Sequence, residues 1–205
     1  MTDARSITIV LFDGFELLDV FGPAELFSQV DGLTTSYAGP TREPVASAQG
    51  VAVVPDFAYA DAPTPDIVLV PGGRGTRTLV NDPDTLAWLR TWASRAQLVT
   101  SVCTGSGLIA AAGLLDGYRA TSNKRSFAWA SSQGAGVEWV PEARWVEDRD
   151  RWTSSGVAAG MDMAAALITT IIGADAGQRA ADLVELELHT DPGWDPFAKL
   201  NGLVD

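Results

Sequence analysis

The chain has 205 residues, of which 46% are hydrophobic and 20% are charged, and its formal net charge at pH 7 is -12. This length and composition are typical of one folded unit with its own core, so we expect a single domain over residues 1–205. The negative charge disfavours binding to nucleic acid and to anionic membranes, and no apolar run approaches the roughly 18 residues that span a bilayer.

Three short runs rich in valine and isoleucine predict strands. They lie at residues 6–12, 66–73 and 97–102, and each is continuous rather than alternating between apolar and polar residues. Continuous apolar runs are typical of strands that are buried on both faces of a parallel sheet.

The segments between these strands have helical patterns. Pro23 suits the first turn of a helix, so a helix is predicted to open there, with Glu16 and Asp19 in a loop or short turn before it. A second helix is predicted to follow Asp82 and Pro83. Strands and helices therefore alternate along the chain.

The second half of the chain predicts a short helix, a flap and two further helices. Residues 122–133 look helical, and residues 136–155 contain short strands that we expect to form a small antiparallel flap. Two helices follow, with Gly173 at the end of the first. Altogether the pattern predicts a doubly wound α/β sandwich with a mostly parallel sheet, whose ligands bind beyond the carboxyl ends of the central strands.

Cys103, the only cysteine, lies where the third predicted strand meets a helix-forming run. We predict a sharp turn at Cys103 and Thr104 that exposes the thiol above the sheet, as in a nucleophile elbow. The start of the following helix would favour the thiolate and lower the pKa of the thiol. The alternative is a small buried hydrophobic residue without chemistry. A single cysteine forms no intramolecular disulfide, which favours a reducing, cytoplasmic location.

Several groups are candidates to assist this thiol. The only histidine, His189, ends a predicted helix and is expected at the surface, so a Cys–His pair is not expected. Either Glu16 or Asp19 is a candidate acid, held partly protonated beside a thiolate, although Glu16 alternatively lies in solvent and Asp19 alternatively caps a neighbouring segment. Gly72 and Gly73 either offer backbone N–H groups to a developing negative charge or form an ordinary turn.

The motifs taken together resemble the ThiJ/PfpI superfamily, relatives of the class I glutamine amidotransferases. The resemblance is closest to isonitrile (isocyanide) hydratases, which have an "LD-x-x-GP" aspartate, a "PGG" turn and an "SVCTG" elbow, all present here in that order. It implies a flavodoxin-like sandwich and a homodimer with the active site near the subunit interface.

When the roles known for these motifs are transferred to the matching positions, the resemblance implies a role for five residues. The nucleophile is Cys103, the neighbouring hydroxyl belongs to Thr104, and the acid/base is Asp19. Gly72 and Gly73 are the implied backbone donors.

Glu16, Asn123 and the C-terminal segment are also singled out by the sequence. Glu16 lies where many superfamily members have a glutamate beside the cysteine, which makes it a second candidate acid/base. Asn123 stands where hydratase-like sequences often have a histidine, so the substrate pocket is expected to differ. The C-terminal "DPGWDPFA" segment at residues 191–198 has no assigned chemistry.

The leading hypothesis is hydration of an isonitrile to an N-substituted formamide through a thioimidate on Cys103, with a small-molecule substrate and without metal or organic cofactor. The first alternative is a glyoxalase-like hydration of a small α-oxoaldehyde. The second is a non-catalytic ligand or oxidation sensor that uses the same cysteine.

Overall fold

The computed structural model describes residues 5–205, in which strands and helices alternate around a central sheet. The strands are β1 (Arg5–Val10), β2 (Leu33–Gly39), β3 (Val45–Ala46), β4 (Ala52–Val53), β5 (Phe57–Ala58), β6 (Ile67–Val70), β7 (Leu98–Ser101), β8 (Arg119–Ala120), β9 (Glu138–Trp139), β10 (Trp145–Asp148) and β11 (Arg151–Ser154). The helices are α1 (Leu17–Ser28), α2 (Thr76–Leu79), α3 (Pro83–Ala93), α4 (Gly105–Ala111), α5 (Phe127–Ser131), α6 (Ala159–Ile172), α7 (Ala174–Leu183) and α8 (Pro196–Leu200). Short 3-10 turns lie at Tyr59–Asp61 and Lys124–Ser126.

The central sheet has seven strands in the order β10-β11-β7-β6-β1-β2-β5. Its neighbouring strands are parallel, except for the antiparallel pair of β10 and β11. The helices pack in two groups, one of α1, α6 and α7 and the other of α2, α3, α4 and α5. The predicted α/β fold with a mostly parallel sheet is confirmed.

The middle strands of the sheet are buried on both faces. All residues of β6 are buried, as are the last four of β1 and the last three of β7. Successive side chains point to opposite faces, so every position must be apolar or internally hydrogen-bonded. Thr100 is of the second kind, because its hydroxyl donates to the carbonyl oxygen of Val68 at 2.8 Å. The continuous apolar runs therefore predicted these strands correctly.

Helix α1 begins earlier than the sequence pattern indicated. It starts at Leu17, so Pro23 lies inside the helix and Asp19 lies in its first turn rather than in a loop. A proline inside a helix costs about 3 kcal/mol, partly because it lacks the N–H group that would bond four residues back. Burial of Val20 and Phe27 on the inner face, at about 1.5–3 kcal/mol each, offsets that cost. The prediction of a helix that opens at Pro23 was wrong for this reason.

The predicted antiparallel flap is present but belongs to the main sheet. β10 and β11 pair antiparallel, and β11 also pairs with β7. β9 pairs in parallel with β8, while β3 and β4 form a separate small antiparallel sheet. The local sequence pattern predicted the β10–β11 hairpin. It could not predict that the hairpin joins the main sheet, because the partner of a short strand depends on residues that are distant in sequence.

The break between the last two long helices agrees with prediction, but the end of the second does not. α7 ends at Leu183 because Glu185 has a φ of 55°, so His189 lies beyond the helix rather than at its end. Gly173 separates α6 from α7 with a φ of 141°, a conformation that side chains other than glycine rarely adopt. The longest helix, α6, has 14 residues. No helix among residues 5–205 is long and apolar enough to cross a membrane.

A cluster of buried charges joins α6 and the C-terminal segment to the residues before β10. Arg144 Nη2 lies 2.5 Å from Asp162 Oδ2, and Arg144 Nη1 lies 4.0 Å from Asp195 Oδ1, with each of these side chains no more than 6% exposed. Lys124 is buried nearby, and burial lowers its pKa to about 8 against the opposing effect of the Asp195 charge. Removing one member of such a cluster leaves another charge buried without compensation.

Replacing Arg144 by alanine should lower the free energy of unfolding by about 3–5 kcal/mol, because Asp162 then stays buried and unpaired. The matched control is Arg119→Ala, which removes an ion pair with Glu138 whose side chains are 53% and 74% exposed. That change should cost less than about 1 kcal/mol. Urea unfolding of both variants measures the difference, and equal losses would contradict a structural role for the buried cluster.

Candidate active site

The turn between β7 and α4 holds Cys103 in a strained conformation. Its φ is 57°, in the left-handed region that non-glycine residues rarely adopt. The N–H of Cys103 donates to the carbonyl oxygens of Ser154 and Ser155, both at 3.2 Å. Its carbonyl oxygen accepts the hydroxyls of Ser106 and Ser122, both at 3.0 Å. These bonds fix the strained backbone, so the predicted strand-to-helix turn at Cys103 is present.

The thiol is more enclosed than predicted. Cys103 is 7% exposed, and glycine backbones press against it from two sides. A Cβ atom added to Gly72 would lie 2.8 Å from Cys103 Cβ, and one added to Gly156 would lie 2.7 Å from Cys103 Sγ and in contact with Asn123 Nδ2. Only glycine fits at these positions. The expectation of an exposed thiol was wrong, because the segment around Gly156 covers it.

Asp19 is the acid that faces this thiol. It is fully buried in the first turn of α1, and its Oδ2 accepts the N–H of Gly72 at 2.8 Å. Its Oδ1 has no hydrogen-bond partner among residues 5–205, and the nearby thiol of Cys103 slightly lowers the pKa of the carboxyl. Burial raises the pKa of Asp19 from 3.8 to about 8, and the charge of Glu16 adds to the shift, although the Gly72 bond opposes it. Asp19 is therefore mostly protonated at neutral pH.

The pKa of the Cys103 thiol is raised rather than lowered. Burial is the larger cause, followed by the negative charge of Asp19, while the N–H of Thr104 acts in the opposite direction. The sequence-based expectation considered the helix start but not desolvation, which disfavours a charged sulfur. The resting group is therefore the thiol.

Thr104 and the glycine pair form a connected network. The N–H of Gly73 donates to Thr104 Oγ1 at 3.1 Å, and the hydroxyl of Thr76 lies 3.2 Å from the same oxygen. The N–H of Gly72 is already bonded to Asp19. The N–H groups of both glycines are therefore bonded to neighbouring side chains. Neither is free to donate to a developing negative charge, which was one of the two roles expected for this pair.

Glu16 lies beside the site without contacting the sulfur by a hydrogen bond. It precedes α1 directly, and its N–H donates to the carbonyl oxygen of Gly72 at 2.8 Å. Its carboxyl accepts Gln49 Nε2 at 2.6 Å. Its charge raises the pKa of both Asp19 and Cys103. Of the two candidate acids, Asp19 has the larger effect on the pKa of the Cys103 thiol.

Sequence reasoning missed Arg77. Its guanidinium carbon lies 3.3 Å from the ring centroid of Trp129, and its Nη1 donates to Thr76 Oγ1 at 3.1 Å. Partial burial lowers the pKa of Arg77, and the nearby Cys103 raises it. The sequence shows an arginine shortly after the "PGG" turn, but the orientation of its side chain depends on Trp129, which is distant in the sequence. A cation therefore stands near the sulfur.

Asn123 and His189, the other residues singled out from the sequence, lie in different regions of the structure. Asn123 lies next to Gly156 and the thiol, and its Oδ1 accepts the N–H of Ser126 at 3.1 Å. His189 is exposed, as expected, and its backbone N–H donates to Asp162 at 3.0 Å. The histidine is therefore part of another region.

The raised pKa of Asp19 predicts an unusual pH dependence of stability. The folded protein keeps a proton that the unfolded chain loses above pH 3.8, so this group's contribution to stability falls as pH rises from about 4 to about 8. The slope approaches about 1.4 kcal/mol per pH unit. Asp19→Asn cannot titrate, so its stability relative to the wild type should increase between pH 5 and pH 8 in urea unfolding.

Glu25→Gln is the control for this measurement, since Glu25 lies on the exposed face of the same helix. It should leave the pH dependence of the wild type unchanged. A difference between Asp19→Asn and wild type that is constant across pH would show that the carboxyl is already ionised in the folded protein.

Comparison with known proteins places this chain in a family. The DJ-1/PfpI family model matches residues 5–170. The chain is 35% identical over 190 residues to isonitrile hydratase of Pseudomonas putida, covering 92% of this chain and 80% of that protein. It is 36% identical over 86 residues to the glutathione-independent glyoxalase DJR-1.2 of Caenorhabditis elegans, covering 41% of this chain and 46% of that one. The crystal structure of a ThiJ/PfpI family protein from Pseudomonas syringae has a TM-score of 0.83 at 31% identity, covering 92% of this chain and 77% of that one. The chain therefore belongs to the DJ-1/PfpI family and has its flavodoxin-like fold, as its motifs indicated.

Proposed function

We propose that this protein hydrates small isonitriles to N-substituted formamides, with Cys103 as nucleophile and Asp19 as general acid and base. The observation that carries the proposal is the full burial of the Asp19 carboxyl near the Cys103 thiol, which raises the pKa of this acid to about 8. The similarity to an isonitrile hydratase over most of both chains supports the same chemistry. Since the thiol must stay reduced, we place the protein in the cytoplasm.

In the first step, the sulfur of Cys103 bonds to the terminal carbon of the isonitrile while Asp19 passes its proton to the same carbon. The proton of the thiol replaces the one that Asp19 gave. The product is a thioimidate, in which that carbon bears hydrogen, sulfur and nitrogen. Concerted transfer avoids a free thiolate and a free carboxylate, both of which burial disfavours.

In the second step, water adds to the thioimidate carbon. Asp19 gives its proton to the nitrogen and takes one from the attacking water. The C–S bond then breaks as the new hydroxyl becomes the formamide carbonyl, and its proton returns to the sulfur through Asp19. One isonitrile and one water give one formamide, and the enzyme is restored.

Thr104 and Arg77 assist by stabilising charge on the sulfur. The N–H and hydroxyl of Thr104 lower the pKa of the thiol, which means that they favour its negative form. The guanidinium of Arg77 is held over Trp129 and interacts electrostatically with Cys103. Both effects act most strongly when the sulfur attacks and when it leaves.

We also propose a homodimer formed through apolar residues next to the site. The exposed fractions are 41% for Leu18, 38% for Phe21, 47% for Val51 and 64% for Val54. Leu18 and Phe21 flank Asp19 along α1, and the Glu16–Gln49 hydrogen bond joins that helix to the segment of the valines. Exposed apolar side chains in one region favour an interface between protein molecules.

Two alternatives use the same thiol. The similarity of part of the chain to a glutathione-independent glyoxalase favours hydration of an α-oxoaldehyde as the second candidate. A non-catalytic sensor requires that Cys103 react with peroxide and turn over no substrate. The enclosed, protonated thiol argues against the sensor, because thiolate character and exposure promote oxidation.

Purified protein should convert phenyl isonitrile to N-phenylformamide, followed by liquid chromatography. Cys103→Ala should lose at least about 1000-fold in kcat/KM, because the covalent route is gone. Asp19→Asn should lose about 100- to 10,000-fold through loss of the proton donor. Thr78→Val, an exposed threonine on α2, is the control and should keep full activity.

The same variants with methylglyoxal distinguish the alternatives. Lactate from the wild type without formamide from any isonitrile would assign the glyoxalase reaction instead. Absence of both products, together with sulfinic acid on Cys103 by mass spectrometry after mild peroxide, would assign the sensor.

Light scattering tests the dimer. The wild type should have twice the chain mass of 21.6 kDa, and Phe21→Asp should shift the population toward 21.6 kDa, because burying the new carboxylate is costly. Leu183→Asp, at a residue 66% exposed on α7, is the control and should stay dimeric. A monomeric wild type at micromolar concentration would refute the interface.

A further inference from the structure

A cavity of about 280 Å³ lies beside the covered thiol. One side is formed by residues 123–125 together with Gly156 and Val157, and the other by residues of the C-terminal segment. Gly156 is the link to the site, since a Cβ there would lie 2.7 Å from Cys103 Sγ. The cavity therefore extends from the backbone that encloses the sulfur.

The C-terminal side of the cavity consists of Phe197 and Leu200 on α8, with Asn201 after it. Phe197 is 49% exposed and Leu200 is 76% exposed. Each is a large apolar side chain at the edge of a cavity, so a ligand that covers them removes apolar surface from water. Asn123 and Asn201 add amide groups, and Lys124 and Arg125 add positive charge, which disfavours a cationic ligand.

Helix α8, which carries Phe197 and Leu200, is anchored by Asp195, the residue directly before it. Asp195 is 2% exposed, its Oδ1 accepts the N–H of Phe197 at 3.0 Å, and its N–H donates to the carbonyl oxygen of Glu142 at 2.9 Å. Its charge interacts with Arg144 and Lys124 in the buried cluster. The next inward residue, Ala198, is fully buried. Residues 195–198 are therefore anchored, and the outward side chains of α8 have fixed positions.

We propose that Phe197 and Leu200 bind the apolar substituent of the substrate and thereby determine which isonitriles are hydrated. The inference rests on the proposed function for the identity of the reacting group. The substituent is apolar and carries no positive charge. Asp195 is the positioning residue, because it acts through α8 and does not touch the substrate.

The test compares methyl and cyclohexyl isonitrile as substrates of wild type, Phe197→Ala and Leu200→Ala. The ratio of kcat/KM for cyclohexyl over methyl isonitrile should fall about 10-fold in both variants, because the lost contact affects only the bulky substrate. Leu183→Ala, an exposed leucine on α7, should leave the ratio unchanged. Unchanged ratios in both cavity variants would overturn the inference.

A second measurement separates this inference from the proposed function. Cys103 is alkylated with iodoacetamide and with N-cyclohexyl iodoacetamide, and mass spectrometry gives the ratio of the two rates without any turnover. A lower ratio in Phe197→Ala and Leu200→Ala, in a protein that hydrates no isonitrile, would support the binding role and reject the proposed function. Formamide production with both ratios unchanged would support the function and reject the binding role.

Discussion

The proton between Asp19 and Cys103 is the constraint on which the candidate site depends. Two acidic groups buried side by side cannot both be ionised, because desolvation and repulsion each oppose the second charge. The N–H of Gly72 is directed to one carboxyl oxygen, and the other has no hydrogen-bond partner among residues 5–205. The pair thus keeps its protons in the resting protein and loses one only when a substrate accepts it.

Backbone rather than side chains brings this pair together. Gly72 lies so close to the elbow that a Cβ there would be 2.6 Å from the backbone nitrogen of Thr104. Gly156 covers the sulfur from another side, and the N–H of Cys103 is bonded to the chain just before it. Each contact leaves no room for a side chain. The carboxyl ends of β6, β7 and β11 therefore converge on one sulfur atom, and α1 supplies the acid.

The sequence allowed prediction wherever local residues decide the structure. The buried strands, the turn at Cys103 and the break at Gly173 depend on adjacent residues, and all three are present. The start of α1 was missed because Pro23 is a strong local signal for a helix start, whereas the burial that overrides it is contributed by the rest of the core. The direction of the thiol pKa was missed for the same kind of reason, since burial and the Asp19 charge arise from segments far away in sequence.

The C-terminal segment connects the stability of the fold to the candidate site. Lys124 belongs to the buried charge cluster, and its neighbour Asn123 lines the cavity and begins the same 3-10 turn. Asp195 approaches that cluster from the other side and orients α8. Because both walls of the cavity depend on one set of buried charges, that set fixes the width of the cavity. The exposed Phe197 and Leu200 are free of that constraint, so substitution there changes the chemistry of the cavity wall while the anchor keeps its place.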